Sequence, residues 1–362
     1  MSQTATNNRF LAHNSLMVPR RIAVLVLVIF LAAPATALAD RVDDYIKARL
    51  DDFHLPGLSL LVIKDGKIVK AQGYGLASVE GKVPADAATV FKIGSVSKQF
   101  FATAIMLLVQ DGRLTLTDPV GKYIKGAPAA WAPITIRHLL THTAGLVRES
   151  PGFNPAKDQP DADVIAAAFS VPLRFAPGEK WEYSNTGYYV LAEIIRIVTG
   201  APWSEYLHNK LFVPSGLDTT LPTNTTRSFA NLAAGYTGND NGRKANPWFP
   251  LRPSGAFLST VLDLAKWDAV LDSNRILSEA ARRQMWSPVS LNGGQSAPYG
   301  FGWHVNTVNG KRRVRHGGGL PGFAAEYMKY LDDRVTVIVL TNGDDVDLPS
   351  IAGGVAALYF PQ

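Results

Sequence analysis

Two kinds of periodicity divide this chain. From Leu58 to Gly75 the segment "LSLLVIKDGKIVKAQGYG" is rich in β-branched and apolar residues and breaks at Asp65-Gly66, a pair suited to a tight left-handed turn, so it predicts two strands of a hairpin. The same signal returns near the other end. "FGWHVNTVNGKRRVRH" turns at Asn309-Gly310, and "AAEYMKYLDDRVTVIVLTN" turns near Asp332-Asp333. Between Phe91 and about Ser290 the pattern changes to helical stretches such as "KQFFATAIMLLVQDG", closing on Gly112 and separated by Pro-rich and Gly-rich loops. A helix is predicted over "RVDDYIKARLDDF", and "SIAGGVAALYF" predicts another that packs back on the sheet. Strands at both ends with helices between them predict an α+β fold, an antiparallel sheet built from residues 40–90 and 291–362 and flanked by helices. Residues 91–290 then form an inserted, mainly helical domain.

The first 39 residues follow neither pattern. They contain no Asp or Glu, and Arg20-Arg21 precede the apolar run "IAVLVLVIFLAA", which Pro34 breaks ahead of Ala37-Leu38-Ala39. A basic start, an apolar centre and a small-x-small end predict a signal peptide cleaved before Asp40, and hence a periplasmic or secreted domain. Met17, opening "MVPRR", offers an alternative start with a conventionally short basic region. Left uncleaved, the apolar segment reaches the lower limit for a membrane anchor, the one membrane contact the sequence suggests.

Cleavage would remove Arg9, Arg20 and Arg21, and +6 less those three charges leaves a formal charge of +3, no signature of a nucleic-acid partner. The chain has no cysteine. Disulfides, a thiol nucleophile and thiolate zinc sites are thereby excluded, so covalent catalysis here needs Ser, Thr, Lys or a carboxylate.

"FKIGSVSKQFF" supplies a candidate, because Ser95 and Lys98 stand three apart at the start of an apolar helix, and residues i and i+3 share a helix face. A lysine whose pKa is lowered by burial and nearby positive charge can take the proton that makes a serine hydroxyl nucleophilic. The free N–H groups of the first helical turn also lie where an oxyanion would form. In "EKWEYSNTGYYVLAEIIRIVTG" the triplet Tyr183-Ser184-Asn185 precedes another apolar helix. Tyr183 offers a hydroxyl that shuttles a proton, and Asn185 an amide that bonds a substrate carbonyl and a lysine. The plain alternative is a structural tyrosine with Asn185 as a helix cap.

"RVRHGGGLPGF" resembles two other motifs superficially. A lipase loop lies upstream of a Gly-x-Ser-x-Gly elbow, which this chain lacks, and a phosphate cradle needs Gly-x-x-x-x-Gly-Lys-Ser/Thr or a Gly-rich turn opening a helix. Ser-x-x-Lys, Tyr-x-Asn and a late His-Gly-Gly in that order instead resemble the serine β-lactamase and penicillin-binding protein superfamily. "ITIRHLLTHTAGL", "GAFLSTVLDLAKW" and "YGFGW" look like phrases of its class C β-lactamase-related branch, which includes D-alanyl-D-alanine carboxypeptidase-like and esterase-like serine hydrolases.

The resemblance spans about Asp40 to Phe360. It implies a β-lactamase/transpeptidase-like fold with the active site between its two parts, and no metal or organic cofactor. Carried over by position, Ser95 is the acyl-forming nucleophile, Lys98 its base or orienting partner, and Tyr183 the proton shuttle. Asn185, His316, Gly317 and Gly318 are the substrate-binding residues, and the backbone N–H groups of Ser95 and Gly319 form the oxyanion hole. The implied chemistry is acyl transfer from an amide or ester to water, on D-Ala-ended peptides, related D-amino-acid compounds, simple esters or β-lactams. The alternatives are a β-lactamase in the narrow sense and a non-catalytic penicillin- or peptidoglycan-binding sensor. Intact Ser95, Lys98, Tyr183 and Asn185 argue against the sensor.

His316 replaces the lysine of Lys-Thr-Gly, and a partly protonated imidazole would give a weaker, pH-dependent field. Gly317 removes a hydroxyl that would hold a substrate carboxylate. Both departures weigh against β-lactam hydrolysis. The glycines fit a strand along which substrate lies closely. Three further features stand apart: His138 and His142, at metal-pair spacing but without a third ligand; Arg312, which alternation puts on the face of His316 and so makes a candidate carboxylate guide; and Trp248-Phe249, candidate cleft aromatics.

Overall fold

The computed structural model describes residues 33–154, 157–238, 241–245 and 252–360. Seven strands make one antiparallel sheet: β1 (Gly57–Lys64), β2 (Lys67–Ser78), β3 (Val83–Pro84), β4 (His304–Val308), β5 (Lys311–Leu320), β6 (Phe323–Tyr330) and β7 (Val335–Thr341). Their order is β4-β5-β6-β7-β1-β2-β3. The two ends of the chain meet at its centre, where β1 pairs with β7 from Leu58↔Thr341 to Lys64↔Val335.

Turn chemistry sets the registers. Asp65 and Gly66 have φ of 52° and 75°, and Asn309 and Gly310 have 51° and 76°, the double left-handed conformation of the tight turn that matches strand twist. β5 and β6 are joined across Pro321-Gly322.

β1 and β7 are buried along almost their whole length, because the sheet is covered on both faces. Five helices matter for the covering and the site: α1 (Ala33–Asp52), α2 (Lys98–Gln110), α3 (Asn185–Thr199), α4 (Val261–Leu271) and α5 (Leu348–Ala357). Leu58, Leu60 and Val62 of β1, with Val337 and Val339 of β7, pack on Val42 and Ile46 of α1 and Ile351 and Val355 of α5. The alternate residues Leu61, Ile63, Ile338 and Leu340 join a second core with Phe100, Phe101 and Ile105 of α2 and Leu264 and Trp267 of α4. The arrangement is the expected β-lactamase/transpeptidase-like fold.

Two expectations need adjusting. α1 begins at Ala33 and so runs through Ala39-Asp40, whereas the sequence pattern predicts a helix from about Arg41. The rest of the predicted leader, residues 1–32, lies outside the described residues, as do Trp248 and Phe249. No described helix is long and apolar enough to cross a membrane. The region 91–290 also contains a small sheet in which Phe257–Ser259 pairs with Phe91–Lys92 on one side and Leu221–Pro222 on the other. Strands of two or three residues leave no alternation to read, yet this sheet brackets the segment carrying Ser95.

Candidate active site

Ser95 lies in a 3-10 turn, Gly94–Ser97, that runs directly into α2, rather than in the α-helix itself. In that tighter winding, residues three apart eclipse one another. Lys98 therefore sits above Ser95, with Nζ 3.1 Å from Oγ. The turn is pressed against β5. A Cβ on Gly94, whose φ is +50°, would stand 2.8 Å from the Gly319 nitrogen, and one on Gly318 would stand 2.0 Å from the Ile93 carbonyl oxygen. Gly318 is thus required by the protein's own nucleophile turn, a reason beyond the substrate approach that the sequence suggests. At Gly319 a Cβ would meet nothing within 4 Å, so substrate has room there.

The second wall is the start of α3. Ser184, not Asn185, caps that helix, its Oγ accepting from the Gly187 N–H at 3.1 Å and donating to the Val147 carbonyl at 2.8 Å. Asn185 is freed to point inward. Its Oδ1 accepts from Lys98 Nζ at 2.8 Å, and its Nδ2 donates to Glu149. The Ser254 carbonyl lies 2.6 Å from Lys98 Nζ and completes the surround.

Lys98 is fully buried, and among the described residues no carboxylate bonds to it. Burial, reinforced by the Arg252 and Arg148 guanidinium groups and opposed by Glu149, pushes its amine well below the usual lysine range. A neutral amine has two N–H donors and one lone pair. Asn185 Oδ1 and the Ser254 carbonyl can only accept, which leaves the lone pair for the Ser95 hydroxyl. Tyr183 is hydrogen-bonded to Ser95 and also flanks Lys98, whose Nζ is 4.9 Å from the ring centroid. Burial raises the Tyr183 pKa, so the phenol keeps its proton.

The third wall is the end of β5. β4 pairs with it only over Lys311–Arg315, so Gly317 and Gly319 line the cleft. In an antiparallel ladder alternate residues turn their N–H and C=O away from a given partner. The Gly317 carbonyl is turned away from β6, because His316 Nδ1 donates to it at 2.7 Å. Gly319 is in the same phase and presents its N–H to the cleft. The Ser95 N–H, in the first turn of its helix, lacks an intrahelical acceptor.

His316 differs from expectation. Nδ1 faces a carbonyl and must carry hydrogen, so Nε2 accepts from the Tyr299 hydroxyl at 2.8 Å. Burial pushes the imidazole well below its usual range, and His304 beside it adds to the effect. His316 is therefore neutral and supplies shape and hydrogen bonds rather than a partial positive charge. His304 is itself held down at about 4 by burial and by Arg315 and Arg313.

Other candidates go elsewhere. Arg312 forks onto Asp332 with Nε 2.9 Å from Oδ2, away from the cleft, while Arg315 lines the cleft and forks onto Glu326. His138 and His142 do not form a pair. Their helix ends at Leu140, and His142 has φ of 59°, so it is not one turn beyond His138. Each spends Nδ1 on a backbone N–H, from Thr135 and Ser184 respectively, both at 3.2 Å. Sequence reasoning missed Glu149, Arg252, Ser254 and Tyr299. Glu149 follows "HTAGL" and Ser254 precedes "GAFLST", but the meeting of these loops has no local signature.

The cleft enclosed by these walls has a volume of about 490 Å³. This chain belongs to the β-lactamase family, whose model, described as Beta-lactamase, matches residues 42–358. Members of that family are serine acyl-transfer enzymes and hydrolases. Penicillin-binding protein 4* of Bacillus subtilis is 31% identical over 79% of this chain and 68% of its own length. A solved octameric penicillin-binding protein homologue from Pyrococcus abyssi has a TM-score of 0.77 and 29% identity, covering 88% of this chain and 77% of that one. The D-amino acid amidase of Ochrobactrum anthropi SV3 has a TM-score of 0.72 and 25% identity, covering 88% and 96%. Protein flp of Staphylococcus aureus, 28% identical over 86% of this chain, is matched over 64% of its own length, so the chain spans just under two thirds of that relative.

Proposed function

We propose that this chain is an exported serine hydrolase that forms and hydrolyses an acyl-enzyme on Ser95, acting on amide or ester bonds. The observation that carries this reading is the surround of Lys98, a buried amine held by two fixed acceptors with its Nζ 3.1 Å from Ser95 Oγ. Lys98 takes the Ser95 proton as Oγ bonds to the substrate carbonyl carbon, and the oxyanion forms against the N–H groups of Ser95 and Gly319. As the scissile bond breaks, the leaving group takes a proton from Tyr183, which recovers one from Lys98. Water then enters by the same route in reverse and frees the acid. The choice of Lys98 as base follows from the two shifts, which leave the amine unprotonated and the phenol protonated.

Likeness to a D-amino acid amidase and to penicillin-binding proteins supports D-amino-acid amides and D-Ala-ended peptides as acyl donors, with short esters as surrogates. A neutral His316 followed by Gly317 leaves neither lysine nor hydroxyl at the two positions where a substrate carboxylate would be held, which favours D-amino-acid amides and short esters over β-lactams. The leader-like first 39 residues support export.

The decisive experiment is intact mass spectrometry after exposure to labelled penicillin, nitrocefin, a D-Ala-D-Ala peptide, a D-amino-acid amide and p-nitrophenyl esters. An adduct on Ser95 is expected for at least one amide or ester, and Ser95→Ala should abolish both adduct and turnover. Wild-type rates in that variant would refute the assignment.

A further inference from the structure

Among the described residues three arginines line the cleft: Arg148, Arg252 and Arg315. Two are committed. Arg315 forks onto the fully buried Glu326, with Nε 2.7 Å and its terminal nitrogen 2.5 Å from the carboxylate oxygens. Arg252 reaches Glu149 at 3.1 Å and places Nε 3.0 Å from Ser254 Oγ.

Arg148 is built differently. Its backbone carbonyl accepts the N–H groups of Asn185 at 2.8 Å and Thr186 at 3.3 Å, which pins the residue to the first turn of α3. Its side chain is exposed, with the guanidinium carbon 5.1 Å from the centroid of the Tyr183 ring. Among the described residues it forms no salt bridge, and neighbouring Glu149 turns to Arg252 and Asn185 instead. The cleft thus holds a fixed-backbone cation, pre-oriented on an aromatic face, beside a phenol that touches Ser95. The opposite wall carries the neutral His316.

From this arrangement the geometry points to Arg148 as a subsite for a substrate carboxylate, which makes the preferred acyl donors amides or esters bearing a free carboxylate within one side chain's length of the scissile carbonyl. The inference rests on the acyl-transfer reading above. Guanidinium binds carboxylate through two parallel hydrogen bonds, and its stacking on Tyr183 reduces the freedom lost when it does so. A Lys-Thr-Gly strand would place the cation on β5. Here the cation has moved across the cleft to the Tyr183 wall.

The test compares p-nitrophenyl monoadipate, which carries a free carboxylate, with neutral p-nitrophenyl hexanoate, on the full chain. The ratio of kcat/KM for the anionic over the neutral ester should fall about tenfold or more in Arg148→Gln, the loss of one charge-assisted pair. Arg148→Lys should retain most of it. In the wild type that ratio should also fall as salt rises, since the pair is exposed. A ratio unchanged within about twofold in Arg148→Gln, an equal loss on both esters, or a wild-type ratio indifferent to salt would each overturn the subsite. The salt series needs no variant and stands if Arg148→Gln does not fold. Failure of acyl transfer is read separately, as wild-type hexanoate turnover that is absent or survives Ser95→Ala.

Discussion

Two lysines in this protein are almost equally buried and have opposite surroundings. Lys329, on β6, is 6% exposed and lies 3.0 and 3.1 Å from the two oxygens of Asp268 and 2.9 Å from Asp272. Lys98, on α2, is fully buried, and its hydrogen-bond partners among the described residues are a hydroxyl, an amide oxygen and a backbone carbonyl. Burial penalises charge at both sites. At Lys329 two carboxylates offset that cost and the ammonium ties α4 to the sheet, with Tyr327 and Thr336 also bonded to Asp268. At Lys98 burial, reinforced by Arg252 and Arg148 and only partly opposed by Glu149, pushes the amine well below the usual lysine range instead. A buried lysine becomes a base when acceptors without charge hold it, and a structural clamp when carboxylates do.

The strongest way to break this contrast is to remove the amine. Lys98→Met should lower kcat/KM for an activated ester by about 10³-fold, within the range that general base catalysis contributes. The fold should not suffer. An unfolded lysine binds a proton below about pH 10.4, whereas Lys98 in the folded chain, with its pKa depressed, does not. The unfolded state therefore holds more protons in that window, and stability rises with pH through it. Lys98→Met removes this contribution, so urea titrations between pH 7 and 10 should show a shallower rise, by up to about 1.4 kcal/mol per pH unit. An unchanged slope would mean that Lys98 is charged when folded.

The opposite outcome is expected at the other lysine. Asp268→Ala leaves Lys329 with the half-exposed Asp272 and the Thr336 hydroxyl and removes the acceptor of Tyr327 and Thr336. A loss of about 3–5 kcal/mol in unfolding free energy is expected. Folded variant protein should still acylate Ser95, since Asp268 does not line the cleft. A stable but inactive variant would show that the two sites are not independent.

Most of the sheet is legible in the sequence because its turns are chemical: Asp65-Gly66 and Asn309-Gly310 can adopt paired positive φ cheaply, and the long apolar strands between announce burial on both faces. The line-up of Ser95, Lys98, Tyr183, Asn185 and the β5 glycines is legible as a set of spaced motifs, and the structure brings them to one cleft. What sequence spacing does not carry is the charge state. The protonation of Lys98 depends on its burial and on Arg252, Glu149 and Arg148, and that of His316 on its burial beside His304 and Lys98, surroundings decided by segments far apart in the chain. The orientation of Asn185 was equally hidden, since only the structure shows that Ser184 takes the capping role.

The smallest effect sharpens the contrast furthest, because it concerns a group that the bare sequence makes ionic and the structure makes neutral. If the inner cleft is held together without charge, His316 does not titrate in the acidic limb of the pH–rate profile, and that limb belongs to Lys98. His316→Gln keeps a side chain that can bond both the Tyr299 hydroxyl and the strand. It should reduce kcat/KM by no more than about tenfold, the worth of one neutral hydrogen bond, and leave the midpoint of the limb in place. The neutral state also fixes the sign of the one shift that is expected. In wild type His316 would charge only at pH well below its usual range, adding a cation near Lys98 there, so the variant can lose activity less steeply at the acidic extreme but not at the midpoint. A midpoint that moves by a full unit would make His316 the titrating group and return the charge to β5.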